Sequence, residues 1–175
     1  MLSEGSEVGE GFLAQVCADW EAEALRARTY GVRVVCVRIG IVLSREGGAL
    51  AEMLTPFKLG VGGPLGSGRQ WMSWIHIDDV TNLLTHAAES ELEGPVNGVS
   101  PEPITNRDFS RALASVLHRP SMIRAPAFAL KLMLGKMSDI VLASQRVKPD
   151  AAQGSGFEYL YTDLTAAISA CMEES

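Results

Sequence analysis

Arg69, Gln70, Trp71, Trp74, His76, Asp78 and Asp79 fall within eleven residues, at the end of the stretch GVGGPLGSGRQWMSWIHIDDV (Gly60–Val80). An arginine offers a planar fork of donors to a carboxylate or phosphate. A tryptophan supplies an apolar wall, and a histidine can carry a proton near neutral pH. The plainer role for His76 is a buried ring whose nitrogens bond to backbone. Asp78 and Asp79 stand where helix-capping and loop-pinning carboxylates stand, because an N-cap oxygen satisfies otherwise free N–H groups. A metal site from His76, Asp78 and Asp79 is disfavoured, since the three would not converge and no further ligand is near. The first half of the stretch is glycine-rich, so the whole reads as a structured loop on a rigid scaffold, where sites tend to be built. An ordinary crossover loop leading into a capped helix is the alternative.

The elements that must position this stretch are mostly helices. A helix is predicted from about Gly11 to Thr29, where Leu13, Val16, Cys17, Trp20, Ala24 and Leu25 recur at helical spacing. After Gly31, the run VRVVCVRIGIVL holds Val34–Val37, an apolar, mostly β-branched segment that reads as a strand covered on both faces. Val96–Ser100, Ile123–Ala125, Arg146–Lys148 and Phe157–Tyr161 are short further strand candidates. Helices are predicted at Ala49–Leu59 and at Asp79–Glu89 with Asp78 as N-cap. A third, Asn106–His118, follows Thr105, with Asp108 completing a capping pattern. Pro126 suits a helix start that Gly135 would end, and a last helix after Thr162 carries Leu164, Ala167, Ile168 and Cys171. His86 and His118 take surface or structural roles, and the Met-bearing segment Leu130–Met137 reads as core or as the wall of an apolar cleft.

The totals exclude several classes. A chain of 175 residues holds one sizeable core. Its net charge of −6 argues against a nucleic-acid or polybasic membrane surface. Cys17, Cys36 and Cys171 are odd in number and far apart, which supports neither a disulfide frame nor a zinc site. No apolar run reaches the ~18 residues of a membrane span, and the first residues are acidic rather than basic, so the chain reads as cytoplasmic.

Several motifs carry a family resemblance. WEAEAL (Trp20–Leu25), VRIGIVLS (Val37–Ser44), the segment Pro56–Val80 and NGVSPEPITNRDF (Asn97–Phe109) resemble the atypical extended short-chain dehydrogenase/reductases. Within these, the chain is most similar to the NAD(P)-binding epimerase family proteins. The segment Ala125–Pro149, followed by GFEYLYTDLTAAI, looks like their C-terminal domain of unknown function. The resemblance implies an α/β chain: the C-terminal part of a Rossmann-like fold plus a small helix-rich substrate-side domain. Residues 1–48 would be a remnant of the dinucleotide-binding domain, 49–124 a substrate-side segment interleaved with it, and 125–175 the family-specific C-terminal domain.

It also implies NADP or NAD as cofactor, hydride transfer in the full-length parent, and Arg38, Ile39, Gly40 and Val42 as cofactor contacts. Arg69, Gln70, Trp74 and His76 fall where extended members meet substrate. Two family features are missing. No glycine fingerprint follows a strand, and Gly60–Gly68 is rejected as one because no strand precedes it and no helix opens on it. The Tyr–Lys pair that exchanges the proton in short-chain dehydrogenases has its places near Gln15 and Asp19. Two readings follow: the substrate-side part of an oxidoreductase or epimerase, or a non-catalytic ligand- or protein-binding module, with an inactive truncated fragment as a variant of the second. An expected partner is a small-molecule substrate. Self-association, or pairing with a missing N-terminal half, is expected from the exposed sheet edge, and weak cofactor binding from the absent glycine turn.

Overall fold

The computed structural model describes residues 1–121, 123, 125, 126, 128, 132, 135 and 142–173. The chain opens into a helix, α1 (Phe12–Leu25), whose last turn tightens into a 3-10 segment at Arg26–Tyr30. Gly31, at φ 75°, ends it in the left-handed region that glycine tolerates. The helix is shorter than its periodicity predicts, and none of its residues is buried. Phe12, Leu13, Cys17 and Ala24 are exposed, and Trp20 keeps 73 % of its surface. The apolar stripe exists, but no described element covers it.

The apolar run that follows is two strands, β1 (Val35–Ile39) and β2 (Ile41–Leu43), which pair with different partners. β1 runs parallel to β5 (Gly94–Gly98), with Val35 opposite Gly94 and Ile39 opposite Gly98. β2 runs parallel to β4 (Trp74–His76). The switch happens at Gly40, whose N–H donates to the Gly98 carbonyl while the next N–H, of Ile41, donates to Ser73. A Cβ at Gly40 would sit 2.5 Å from the Ser73 carbonyl oxygen and 2.8 Å from a Val99 methyl, so only glycine lets the backbones approach this closely. The predicted strand buried on both faces is therefore corrected: β1 is half-buried along most of its length and has one strand partner among the described residues.

A third pair, β3 (Trp71–Met72) with β6 (Ile104–Thr105), is antiparallel. The stretch Trp71–His76, read from sequence as loop, thus contributes two strands. The glycines before it serve packing. A side chain at Gly62 would strike Phe57, and one at Gly63 would strike the Ile123 backbone.

Helices cover these short strands. α2 (Gly48–Lys58) buries Leu50, Leu54 and Phe57. α3 (Ile77–Glu89) begins two residues earlier than predicted, and its N-cap is His76 rather than Asp78: the His76 Nδ1 accepts the Asp78 N–H at 3.2 Å. α4 (Asn106–Val116) is capped as predicted, by the Thr105 hydroxyl, which accepts the Asp108 N–H and donates to its carboxylate at 2.6 Å. A short helix missing from the sequence reading, α5 (Asp150–Gly154), precedes α6 (Leu164–Glu173).

The main core joins Leu43, Phe57, Trp74, Phe109, Leu164 and Ile168 from β2, α2, β4, α4 and α6. A second cluster of Leu83, Val96, Ala152 and Phe157 lies against β1 and β5. Two predicted strands are not strands. Arg146–Lys148 makes a single bridge, Val147 to Leu2, and Phe157–Tyr161 is irregular. Much of the predicted strand Ile123–Ala125, the helix starting at Pro126 and the segment Leu130–Met137 lies outside the described residues. Among the described residues, no helix is long and apolar enough to cross a membrane, and no group of three or more metal-ligating side chains gathers.

Candidate functional site

Ligands of open α/β sheets bind beyond the carboxyl ends of the parallel strands. Here those ends lie side by side, at Ile39 of β1 and Gly98 of β5. Alternation along β1 sends Arg38 and Ile39 to opposite faces. The Ile39 side chain is 48 % exposed, Gly40 is held tightly by Ser73 and Val99, and Val42 is half-buried. Two of the four expected cofactor contacts, Ile39 and Gly40, therefore sit at the end of β1, and Val42 lies in the middle of β2.

Arg38 does not join them. Its Nε and Nη2 donate to the two Glu21 carboxylate oxygens at 2.6 and 2.7 Å, and its Nη1 donates to the Glu4 carbonyl at 3.1 Å. This bidentate pair fastens α1 to β1. The hydrogen bond from Arg38 holds the Glu21 carboxyl below its ordinary pKa, and the same bond raises that of the guanidinium.

The four expected substrate contacts do not share a surface. Arg69 is exposed. Gln70 is buried and donates to the Leu65 carbonyl at 3.0 Å. Trp74 is fully buried, with its indole N–H donating to the Glu102 carbonyl at 2.9 Å. His76 is also fully buried; its ring caps α3 and lies 4.0 Å from the Tyr161 ring, while Nε2 has no hydrogen-bond partner among the described residues. Asp79 pins the chain below: its carboxylate accepts the Leu160 and Tyr161 N–H groups at 2.7 and 3.1 Å. Burial pushes this carboxyl above its ordinary pKa, and the two backbone bonds oppose the shift. Tyr159, nearby in the chain, has its phenol pKa raised chiefly by burial.

Sequence reasoning missed a polar cavity at the same end of the sheet. The chain leaving β5 runs through Pro101 and Glu102 and faces the segment 144–148 across a cavity of about 310 Å³. Arg146, Lys148 and Gln153 line the other side. The segment is fixed from several directions. Trp71 N–H donates to the Ser144 hydroxyl, and Val147 N–H to the Ser73 hydroxyl, which itself donates to the Gln145 carbonyl. Leu2 donates to Arg146 and accepts from Lys148 through backbone groups. The Arg146 guanidinium lies over the Trp71 ring, 4.1 Å from its centroid. The signal in the sequence was the alternation Arg146, Val147, Lys148, which in extended chain places both cations on one side.

Residues 12–99 match the NAD dependent epimerase/dehydratase family, and residues 125–171 match a domain of unknown function, DUF1731. The chain is 44 % identical over 174 residues to the chloroplastic SDR39U1 homolog of Arabidopsis thaliana, an epimerase family protein, covering 99 % of this chain and 50 % of that one. It is 39 % identical over 161 residues to the epimerase family protein YfhF of Bacillus subtilis (strain 168), covering 91 % of this chain and 53 % of that one. The chain therefore spans about half the length of the curated relatives it matches. Among solved structures it is similar to human epimerase family protein SDR39U1 (isoform2) with NADPH, at a TM-score of 0.94 and 37 % identity over 99 % of this chain and 60 % of that one. A nucleoside-diphosphate sugar epimerase from Corynebacterium glutamicum gives a TM-score of 0.76 at 37 % identity, covering 96 % of this chain and 32 % of that one.

Proposed function

This chain belongs to the NAD dependent epimerase/dehydratase family, and from that premise we propose that it forms the substrate-side part of an NAD(P)-dependent oxidoreductase or epimerase. The observation that carries this reading is the likeness, over 99 % of the chain, to a human family member solved with NADPH. The residues at the end of β1 suit the nicotinamide end of such a cofactor: Ile39 offers an exposed apolar surface, and Gly40 leaves no side chain between it and the strand turn. Ile39, Gly40 and Val42 would hold that end, and the cofactor, when bound, gives or takes hydride there. The substrate is a small molecule admitted from the side of Glu102 and Arg146. The protein is cytoplasmic in this reading, in keeping with three free cysteines and no disulfide among them.

A second reading, a non-catalytic binding module, is favoured by one observation. The Gln15 amide donates to the Asp19 carboxylate at 2.8 Å, where short-chain dehydrogenases place their proton-exchanging pair.

An NADPH titration of the 175-residue chain, followed by nicotinamide fluorescence, separates the two. Saturable binding that weakens several-fold in Ile39→Asp supports the oxidoreductase reading. A folded chain that leaves the fluorescence unchanged, or an Ile39→Asp variant that binds equally well, supports the module.

A further inference from the structure

We propose that Ser73 is a positioning residue: its one hydroxyl takes the place of a neighbouring strand, fixes the backbone of Arg146, and so sets the cavity wall against the strand end at Gly40. Calling that wall substrate-facing rests on the oxidoreductase or epimerase reading; the hold of the hydroxyl on Arg146 does not.

Ser73 is the single residue between β3 and β4, where pairing changes from antiparallel to parallel. It is 7 % exposed. Its two polar groups face different elements. The carbonyl accepts the Ile41 N–H at 2.8 Å, one residue past the Gly40 junction. The hydroxyl donates to the Gln145 carbonyl at 2.8 Å and accepts the Val147 N–H at 3.0 Å.

Those last two bonds flank Arg146. In a parallel ladder one residue gives its N–H to the carbonyl before its partner and its carbonyl to the N–H after it. Leu2 does this around Val147, donating to the Arg146 carbonyl at 2.8 Å and accepting the Lys148 N–H at 2.9 Å. Ser73 does the same around Arg146 with one oxygen atom, because a hydroxyl donates and accepts at once. The extended segment thus has a backbone neighbour on one side and a side-chain neighbour on the other.

The consequence falls on the Arg146 side chain. With both flanking peptide groups held, the residue has little backbone freedom, and its guanidinium is delivered to the Trp71 ring, 4.1 Å from the centroid. The Gln145 N–H donates back to the Trp71 carbonyl at 3.3 Å, so residues 71–73 and 145–147 form one frame. The Ser144 hydroxyl and the Asn97 amide fasten the segment further out, away from the peptide groups beside Arg146. Alanine at position 73 would leave the Gln145 carbonyl and the Val147 N–H without this partner, whereas threonine keeps the hydroxyl.

The test is nuclear magnetic resonance on the isotope-labelled 175-residue chain, reading amide exchange at Val147 and Ile41 and the Arg146 Nε–H resonance. A proton held over an indole face is shifted upfield, so that resonance should stand apart from the one of exposed Arg69. In Ser73→Ala, Val147 should exchange about tenfold faster or more, and the Arg146 signal should move toward that of Arg69. Ile41 should keep its protection, because its acceptor is the Ser73 carbonyl, which the substitution leaves in place. Ser73→Thr should restore both signals, and Ser144→Ala should leave both nearly unchanged.

Equal acceleration at Ile41 and Val147 would mean a general loss of stability and overturns the proposal, as does identical behaviour of the alanine and threonine variants. The wild-type chain is decisive where a variant fails to fold: a Val147 amide exchanging like an unprotected one, or an Arg146 signal lying with Arg69, also overturns it. An NADPH titration that fails while these signals behave as expected removes the hydride-transfer reading and leaves the role of Ser73 standing; the reverse outcome removes only that role.

Discussion

Gln15 and Asp19 face each other one turn apart on α1, joined by a 2.8 Å hydrogen bond from amide to carboxylate. Neither side chain is the phenol or the amine of the short-chain dehydrogenase pair, so the proton exchange that a Tyr and a Lys perform has no equivalent at these two positions. Both residues are exposed, and the bond joins positions i and i+4 of a helix surface. Gln15→Ala and Asp19→Ala should each change stability by less than about 0.5 kcal/mol in urea unfolding. A loss several times larger would mean that the pair supports packing that the exposed face of α1 does not suggest.

Asp79 should behave in the opposite way. Asp79→Ala leaves two inward N–H groups, of Leu160 and Tyr161, without an acceptor, and should cost about 2–4 kcal/mol.

The same carboxyl predicts a pH dependence. Burial raises its pKa in the folded state, so between the unfolded and folded values the folded chain binds more protons than the unfolded one. Stability from this group is greatest at low pH and falls as pH rises through that window. Asp79→Asn should remove this component. Urea midpoints for both proteins across the weakly acidic range test it, and equal slopes would sink the idea.

Glu21 carries the opposite sign. Its pKa is lowered by the Arg38 hydrogen bond, so its contribution is fully present above the unfolded value and is lost as pH falls through the folded one. The pair is partly exposed, so its worth is at most about 1 kcal/mol. Glu21→Gln should lower stability by up to about 1 kcal/mol at neutral pH and leave it nearly unchanged below the folded pKa, so the acid limb of the stability curve flattens, as thermal melts at several pH values would record.

Gly40→Ala tests the junction where the strand run changes partner. The added methyl would meet the Ser73 carbonyl, which is backbone and cannot swing aside. A loss of about 1–3 kcal/mol is expected from overpacking, read as a lower denaturant midpoint at unchanged slope.

Periodicity told part of this story. Leu164, Ala167, Ile168 and Cys171 recur at helical spacing, and all four are buried in α6. The stripe on α1 has the same kind of spacing and is not buried, because a pattern states which face is apolar and not what lies against it. The β3 and β4 strands span two and three residues, too short for alternation to register. The pinning role of Asp79 was legible from its place at a helix start, and so was the bonding of a His76 ring nitrogen to backbone. Arg146 and Lys148 were not singled out, since their meaning comes from Trp71 and Glu102, more than forty residues away in the chain.

The parallel register of β1 with β5 sets the order in which the molecule can be made. Val35 meets Gly94 only after the whole of β2 through α3 has been threaded between them. The core then waits for Phe157, Leu164, Ile168 and Cys171, which follow Phe109 far along the chain. Distant pairings close slowly because loop entropy is lost before contacts repay it. During translation the chain therefore carries Trp74, Leu83 and Phe109 unsheltered until residues 157–171 emerge, and that interval is when a chaperone, or a second copy of the chain, competes for them.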